Sequence, residues 1–326
     1  METDQNIQTP LGEEDIARLY RALRLIRRVE ERIAEIYPSD KIKSPVHLSI
    51  GQEAISVGLC DALNLEDYVS GTYRGHALYL AKGGDLNAFM AELYGKVTGC
   101  AQGKGGSMHM IDLEARVLGC SAVVATHIPV AMGYAWKLKQ EGQKRIVACV
   151  FGDGATEEGV FYETLNFAAL HKLPILFLCE NNGLAIHSPL ANRWAHHDIC
   201  ERVLGFNLPT HKLEEMDVFA IREKCAEIVE RIRQGAGPEF LECFTYRWRQ
   251  HVGPGEDFDH GYRNREDLAE WRRKDQVAAL GMMLPNNLRA DIDSDIEREV
   301  ERSITFAEES AFPKTEQLMA HVYAES

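Results

Sequence analysis

The sequence predicts an α/β fold, a doubly wound parallel sheet with helical extensions at both ends. Three observations predict it. Two short runs, Arg145–Phe151 and Pro174–Glu180, are apolar without alternation, the pattern of parallel strands covered on both faces. Between them, residues 156–171 repeat apolar positions at helical spacing and complete a βαβ unit. Residues 12–37 at one end, and 265–282 and 291–311 at the other, have helical periodicity with no strand among them.

Taken from the amino end, the first helix sets Ile16, Leu19, Tyr20, Leu23, Ile26, Val29, Ile33 and Ile36 on one face, and Pro38 closes it. Segments 51–63, 74–83 and 85–95 also read as helices, and the glycine-rich stretch 99–108 reads as loop. Helix 128–141 then leads into the βαβ unit. A helix over 215–234 precedes a strand at Glu239–Thr245, and the two charged helices that follow are expected at the periphery. The implied organisation is a polar tail over 1–14, one α/β domain over 15–285 and a C-terminal helical extension over 286–326, with no internal repeat or low-complexity linker.

The chain has 326 residues, with 36 Lys and Arg against 50 Asp and Glu, a formal charge of −14. An acidic chain without a basic cluster is a poor binder of polyanions, so nucleic acid is not an expected partner. Nor is a membrane, because the longest clean apolar run, Leu173–Cys179, is far short of the roughly 20 residues a spanning helix needs. The acidic start Met1-Glu-Thr-Asp-Gln-Asn lacks the features of a secretory signal or transit peptide, so the expected location is the cytoplasm. Eight cysteines never come closer than 18 positions to one another, which gives no finger-like metal spacing and points to reduced, mostly buried thiols.

In an open parallel sheet, ligands sit beyond the carboxyl ends of the strands. Here those ends are Gly152-Asp153-Gly154-Ala155 and Asn181-Asn182. Taken singly, the first is a tight turn and the second a polar loop. At opposite ends of one right-handed βαβ unit they come side by side, and a carboxylate, an amide oxygen and a nearby main-chain carbonyl then form part of an octahedron of hard oxygens. Such a set suits Mg²⁺ with phosphate oxygens and water completing it. The glycines lack dinucleotide-turn spacing, and no G-x-x-x-x-G-K-[ST] occurs, so NAD and P-loop nucleotides are disfavoured.

Five motifs follow one another along the chain: HLSIGQEA (47–54), TYRGHA (72–77), GCAQGKGGSMHM (99–110), GDGATEEGVFYETLNFAALHKLPILFLCENN (152–182) and TYRWRQH (245–251). In these residues the chain resembles the α subunit of the thiamine-diphosphate-dependent, decarboxylating component of 2-oxo-acid dehydrogenase complexes, the pyruvate and acetoin enzymes included. The resemblance covers about residues 15–285. It implies the thiamine-diphosphate-binding fold, with Asp153, Asn182 and the main-chain carbonyl of Leu184 holding Mg²⁺. It places Gly152, Gly154 and Ala155 against the diphosphate, Tyr73 and Arg74 in contact with it, and Val124 against the aminopyrimidine. His251 falls on the active-site histidine, able to act as acid or hydrogen-bond donor to a developing oxyanion, and His47 lies near the substrate end. Lys104 and its glycines could form an anion-binding nest or an ordered connection at a subunit interface; for His76 and His109, structural hydrogen bonding is as good a reading as a functional one.

The resemblance also implies a partner. One βαβ core is legible here, so the pyrimidine domain and the activating glutamate should come from a β subunit, in an assembly of two α and two β chains, with a lipoyl transacylase as a possible further partner. Departures from the family pattern cluster after the active-site tyrosine and arginine. Arg249 replaces a histidine, Gln250 follows it, and Val252 replaces a serine that some members phosphorylate, leaving no acceptor hydroxyl there. Ala122 and Ala125 replace glycines, and His127 a glutamine. The expectation is that Arg249 adds a fixed charge near the substrate, so that the substrate carries a polar or anionic group beyond pyruvate, or the acyl acceptor is not lipoamide. Two other functions stay open at this stage: a thiamine-dependent carbon–carbon bond-forming transferase, and a non-catalytic regulatory α-like subunit.

Overall fold

The structure is a computed structural model that describes residues 12–320 and residue 322; most of the expected polar tail lies outside the described residues. Its helices are α1 (Glu13–Ile36), α2 (Glu53–Ala62), α3 (His76–Ala81), α4 (Leu86–Leu93), α5 (His127–Gln140), α6 (Gly159–Leu170), α7 (Ile199–Leu204), α8 (Val218–Arg233), α9 (Arg265–Arg273), α10 (Gln276–Met283) and α11 (Asn286–Glu309). Six strands form one wholly parallel sheet: β1 (Tyr68–Thr72), β2 (Val117–Ser121), β3 (Val147–Gly152), β4 (Ile175–Asn181), β7 (Thr210–Leu213) and β8 (Glu239–Phe244). Two-residue strands β5 (Leu184–Ala185) and β6 (Ser188–Pro189) make a small antiparallel hairpin outside it. Among the described residues no helix is long and apolar enough to cross a membrane.

The order β2-β1-β3-β4-β8-β7 reverses direction between β1 and β3, because the chain leaves β1 toward β2 and leaves β3 toward β4. That reversal opens a crevice at the carboxyl ends of β1 and β3. The two central apolar runs are explained by the layers above and below them. Ala148, Val150, Leu176 and Leu178 join a core with α1, α2, α4 and α8, whereas Val147, Cys149, Phe151, Ile175, Phe177 and Cys179 join a second core with α5, α6 and α7. Neither face of these strands meets water, so neither face is polar.

The carboxy-terminal helices differ from the sequence expectation in two ways. The segment 265–282 is broken, because Asp275 caps α10 by accepting from the Val277 N–H (3.1 Å) and also pairs with Arg27 (3.1 Å). And α11 is not peripheral. Ile296, Val300, Ile304 and Ala307 are buried in the same core as α1, while along the seam Arg21, Arg28 and Arg32 of α1 pair with Glu299, Glu297 and Glu301 at 2.6 Å each. Burial of the apolar stripe holds the helix in place. The partly exposed ion pairs fix its register and add little energy.

Candidate active site

The crevice at the reversal point is a cleft of about 250 Å³. Four strand ends build it: Thr72–Arg74 after β1, Ser121–Ala125 after β2, Gly152–Ala155 after β3, and Glu180 and Asn182 at the end of β4. Leu184, Ala185 and Ile186 of the small hairpin and His251 close the remaining wall. Thus Tyr73, Arg74, Val124, Gly152, Asp153, Gly154, Ala155, Asn182, Leu184 and His251, spread over nearly 180 positions of sequence, line one cavity.

The oxygen-bearing end is built by the turn after β3. Gly154 allows the hairpin to close over it, since a Cβ there would lie 2.9 Å from the Ala185 Cβ. Asp153 is almost wholly buried, and burial raises its pKa against the pull of the Arg193 guanidinium, with which it forms an ion pair. Asn182 is oriented from both sides: its Oδ1 accepts from the Leu184 N–H (3.1 Å) and its amide donates to Gln52 Oε1 (3.2 Å). This donor set of a buried carboxylate, an amide oxygen and a carbonyl on the adjoining hairpin fits a small hard cation such as Mg²⁺.

Arg74, on the cleft wall beside Tyr73 and His251, is buried and donates to the carbonyls of Leu48 (2.7 Å) and His251 (3.2 Å). Burial lowers its pKa to about 10, so it remains a cation at neutral pH. Facing it across the cleft, the carboxyl of Glu180 is pushed up to about 7 by burial despite Arg74. Beside Arg74 the cleft is aromatic: Tyr73 and His251 line it, and His47, off the cleft lining, packs against both. His47 and Tyr73 lie 4.5 Å apart by ring centroids, His47 and His251 5.1 Å, and Tyr73 and His251 5.7 Å. Burial, with Arg74 beside both rings, lowers His47 and His251 to about 3, so both imidazoles are neutral at physiological pH. The His47 Nδ1 has no protein partner. A third buried imidazole, His127, uses Nε2 on the Val150 carbonyl (3.0 Å) and leaves Nδ1 unpartnered.

Three sequence expectations are resolved here. Arg249 is not on the cleft: its carbonyl accepts from Arg247 (2.8 Å) and Arg263 (2.8 Å), and the residue lines a surface groove with Glu31, Glu35 and Pro254. Its charge therefore does not reach the substrate end. The nest around Lys104 exists but is filled by the buried carboxylate of Glu92, which accepts N–H bonds from Ala101, Gly103, Gly105 and Gly106 at 2.7–3.0 Å; Lys104 itself donates to the Ala320 carbonyl (2.7 Å). His76 is structural, held between Glu30 (2.6 Å) and Ser107 (2.7 Å), and His109 is exposed away from the cleft. Gln52, Glu180 and Arg193 are site residues the sequence reading did not single out. Gln52 and Glu180 stand inside quoted motifs, but only strand ends and loop closure reveal that they face the cleft.

Comparison with known proteins places this geometry. The model of the dehydrogenase E1 component family matches residues 21–318. The chain is 36% identical to the alpha subunit of acetoin:2,6-dichlorophenolindophenol oxidoreductase of Bacillus subtilis, over 96% of this chain and 95% of that protein. It is 39% identical to the pyruvate dehydrogenase E1 component subunit alpha of Porphyra purpurea, over 94% and 92% of the two chains. Against the corresponding Zymomonas mobilis subunit it is 36% identical, over 95% and 88%.

Proposed function

Since this chain belongs to the dehydrogenase E1 component family, we propose that its cleft binds thiamine diphosphate through Mg²⁺, as the α subunit of a heteromeric 2-oxo-acid dehydrogenase of the pyruvate and acetoin type. The observation that carries the cofactor assignment is that Asp153, Asn182 and Leu184 line one cleft together with Tyr73, Arg74 and His251, His47 packing against the His251 ring. Thiamine diphosphate supplies a carbanion able to attack a 2-oxo acid or acyloin. The chain's own residues bind and orient. Asp153, Asn182 and the Leu184 carbonyl would hold the metal, and Arg74 keeps a buried positive charge on the cleft wall beside His251. His251, on the cleft wall with His47 packed against it, would present a ring nitrogen to the oxygen on which charge develops, and a neutral imidazole keeps one N–H able to donate there.

A β subunit as partner is supported by the sheet count: the described residues form only one parallel sheet, which already supplies the diphosphate end. An assembly of two α and two β chains is the proposed form. The test is turnover of a panel of 2-oxo acids and acetoin by this chain reconstituted with a β partner, using an artificial electron acceptor and omitting thiamine diphosphate or Mg²⁺ in turn. Turnover that needs both chains and both ligands supports the reading. Acyloin formation without acyl transfer would favour a carbon–carbon transferase, and no cofactor binding would leave a regulatory subunit.

A further inference from the structure

Arg193 occupies an unexpected place. It lies 40 positions beyond Asp153, after the small hairpin, yet its guanidinium reaches back into the metal-ligand set. One terminal nitrogen pairs with Asp153 and the other with Glu157, while Nε donates to the Ser188 carbonyl (3.0 Å). The side chain is only 7% exposed. The guanidinium also lies against the glycine turn itself, 4.0 Å from where a Gly154 Cβ would stand. It therefore sits where a divalent cation and a diphosphate would meet.

A buried carboxylate needs a counter-charge, and here the chain supplies one of its own. A divalent cation on Asp153 and a guanidinium on the same carboxylate are like charges in a poorly screened site, so the two compete. A diphosphate changes the balance. It brings several negative charges to the face of the turn on which the guanidinium already lies, and a forked guanidinium pairs well with phosphate oxygens. The segment carrying Arg193 is also tensioned. Ile186, a β-branched residue on the cleft wall, has φ +56°, and its carbonyl is held by Arg247 (3.0 Å).

We propose that Arg193 is the resident counter-cation of the metal site, holding Asp153 and Glu157 before loading and moving from Asp153 to the diphosphate oxygens when cation and cofactor bind. The proposal rests on the cofactor reading above and gives this arginine two opposed roles. It opposes the metal when the metal comes alone, and it assists the diphosphate when both come together.

The test is ligand binding by the full chain, wild type against Arg193→Gln. Mn²⁺ alone is followed by electron paramagnetic resonance, and thiamine diphosphate at saturating Mg²⁺ by calorimetry. Arg193→Gln is expected to bind Mn²⁺ at least tenfold more tightly and thiamine diphosphate at least tenfold more weakly, with Arg193→Lys recovering part of both changes. A structural role would weaken both ligands together; that result, or no change in either, overturns the proposal. Should Arg193→Gln not fold, Arg193→Lys, which keeps the charge but loses the fork, should still bind Mn²⁺ more tightly and thiamine diphosphate more weakly than wild type, and unchanged affinity for both overturns the proposal. Wild type and Asp153→Asn that both fail to bind Mn²⁺, with or without the diphosphate, would sink the cofactor reading and the proposal with it; wild type that binds Mn²⁺ and matches Arg193→Gln would sink the proposal alone.

Discussion

The turn at 152–155 and the loop at 99–109 both set glycines and backbone N–H groups beside charged side chains, yet they end differently. In the loop the buried Glu92 carboxylate takes four N–H bonds, and His76 nearby is satisfied on both ring nitrogens by Glu30 and Ser107. Around the turn, the cleft keeps a buried carboxylate whose counter-ion comes from a separate loop, and an imidazole at His127 whose Nδ1, like that of His47 behind the aromatic wall, has no hydrogen-bond partner in the protein. The difference teaches how a glycine-rich binding site is told from a glycine-rich knot. Both need the backbone freedom, but only the site leaves polar groups turned toward an absent partner.

The strongest way to break that contrast is to remove the carboxylate from each side. Asp153→Ala deletes the one charged oxygen of the metal set, so Mg²⁺ affinity is expected to fall by on the order of 100-fold or more, and metal-dependent turnover with it. It also strips the buried Arg193 of one of its two carboxylates, so some stability goes with it. Glu92→Ala should behave in the opposite way. It strands four N–H groups whose satisfaction is internal, at a cost of about 3 kcal/mol or more, read as a lowered denaturation midpoint, while the protein that remains folded binds thiamine diphosphate with wild-type affinity. A Glu92 variant that stays stable but loses cofactor would mean that the loop belongs to the site.

The same contrast shows why part of the molecule was legible in its sequence and part was not. The βαβ unit from β3 to β4 announces itself because both strands are buried on two faces, and its ends bear the glycine and amide residues that line the cleft. β1, β2 and β7 went unread: Tyr68-Val-Ser-Gly-Thr72 and Val117-Leu-Gly-Cys-Ser121 mix small and polar residues, and Thr210-His-Lys-Leu213 is a polar edge strand. The switch point depends on β1 and β2, so the residues at the cleft could be named from motifs while the reason they converge could not. Arg193 was invisible for a different reason. A loop cation finds its carboxylate through the fold, and no periodicity encodes a pairing across 40 positions. The alanine that stands in for a family glycine at 125 is a smaller case, accommodated at φ +62° on the cleft wall.

The histidine pair sharpens the comparison further. If His251 donates to the developing charge, His251→Ala should lower kcat by about 100-fold or more with little change in thiamine diphosphate affinity. Both His47 and His251 have folded pKa values near 3, below the unfolded value of about 6.5. The unfolded chain therefore takes up protons that the folded chain refuses. Stability is full above pH 6.5 and falls as the pH drops from 6.5 toward 3, and a His47→Gln, His251→Gln double variant should flatten the slope of melting temperature against pH within that window. His76 lies in the satisfied region, hydrogen-bonded on both ring nitrogens, so His76→Gln should lower stability without removing the slope.

Arg249→Leu gives the smallest expected effect and the most direct check on where specificity lies. Sequence alone put this arginine beside the substrate because it follows the tyrosine and arginine of the TYRWRQH motif. In the fold its neighbour Arg247 is the buried one, tied to Asp257 (2.9 Å), Tyr262 (2.9 Å) and the carbonyls of Arg249 and Ile186, while Arg249 turns to the groove beside Glu31 and Glu35. A charge outside the cleft and near solvent is screened from a substrate inside it. Ratios of kcat/KM across the oxo-acid panel should therefore shift less than about twofold, which is about 0.4 kcal/mol in differential transition-state binding. A larger shift would mean that the 249–255 loop turns inward when the partner chain docks, and that the arginine contacts substrate only in the assembled enzyme.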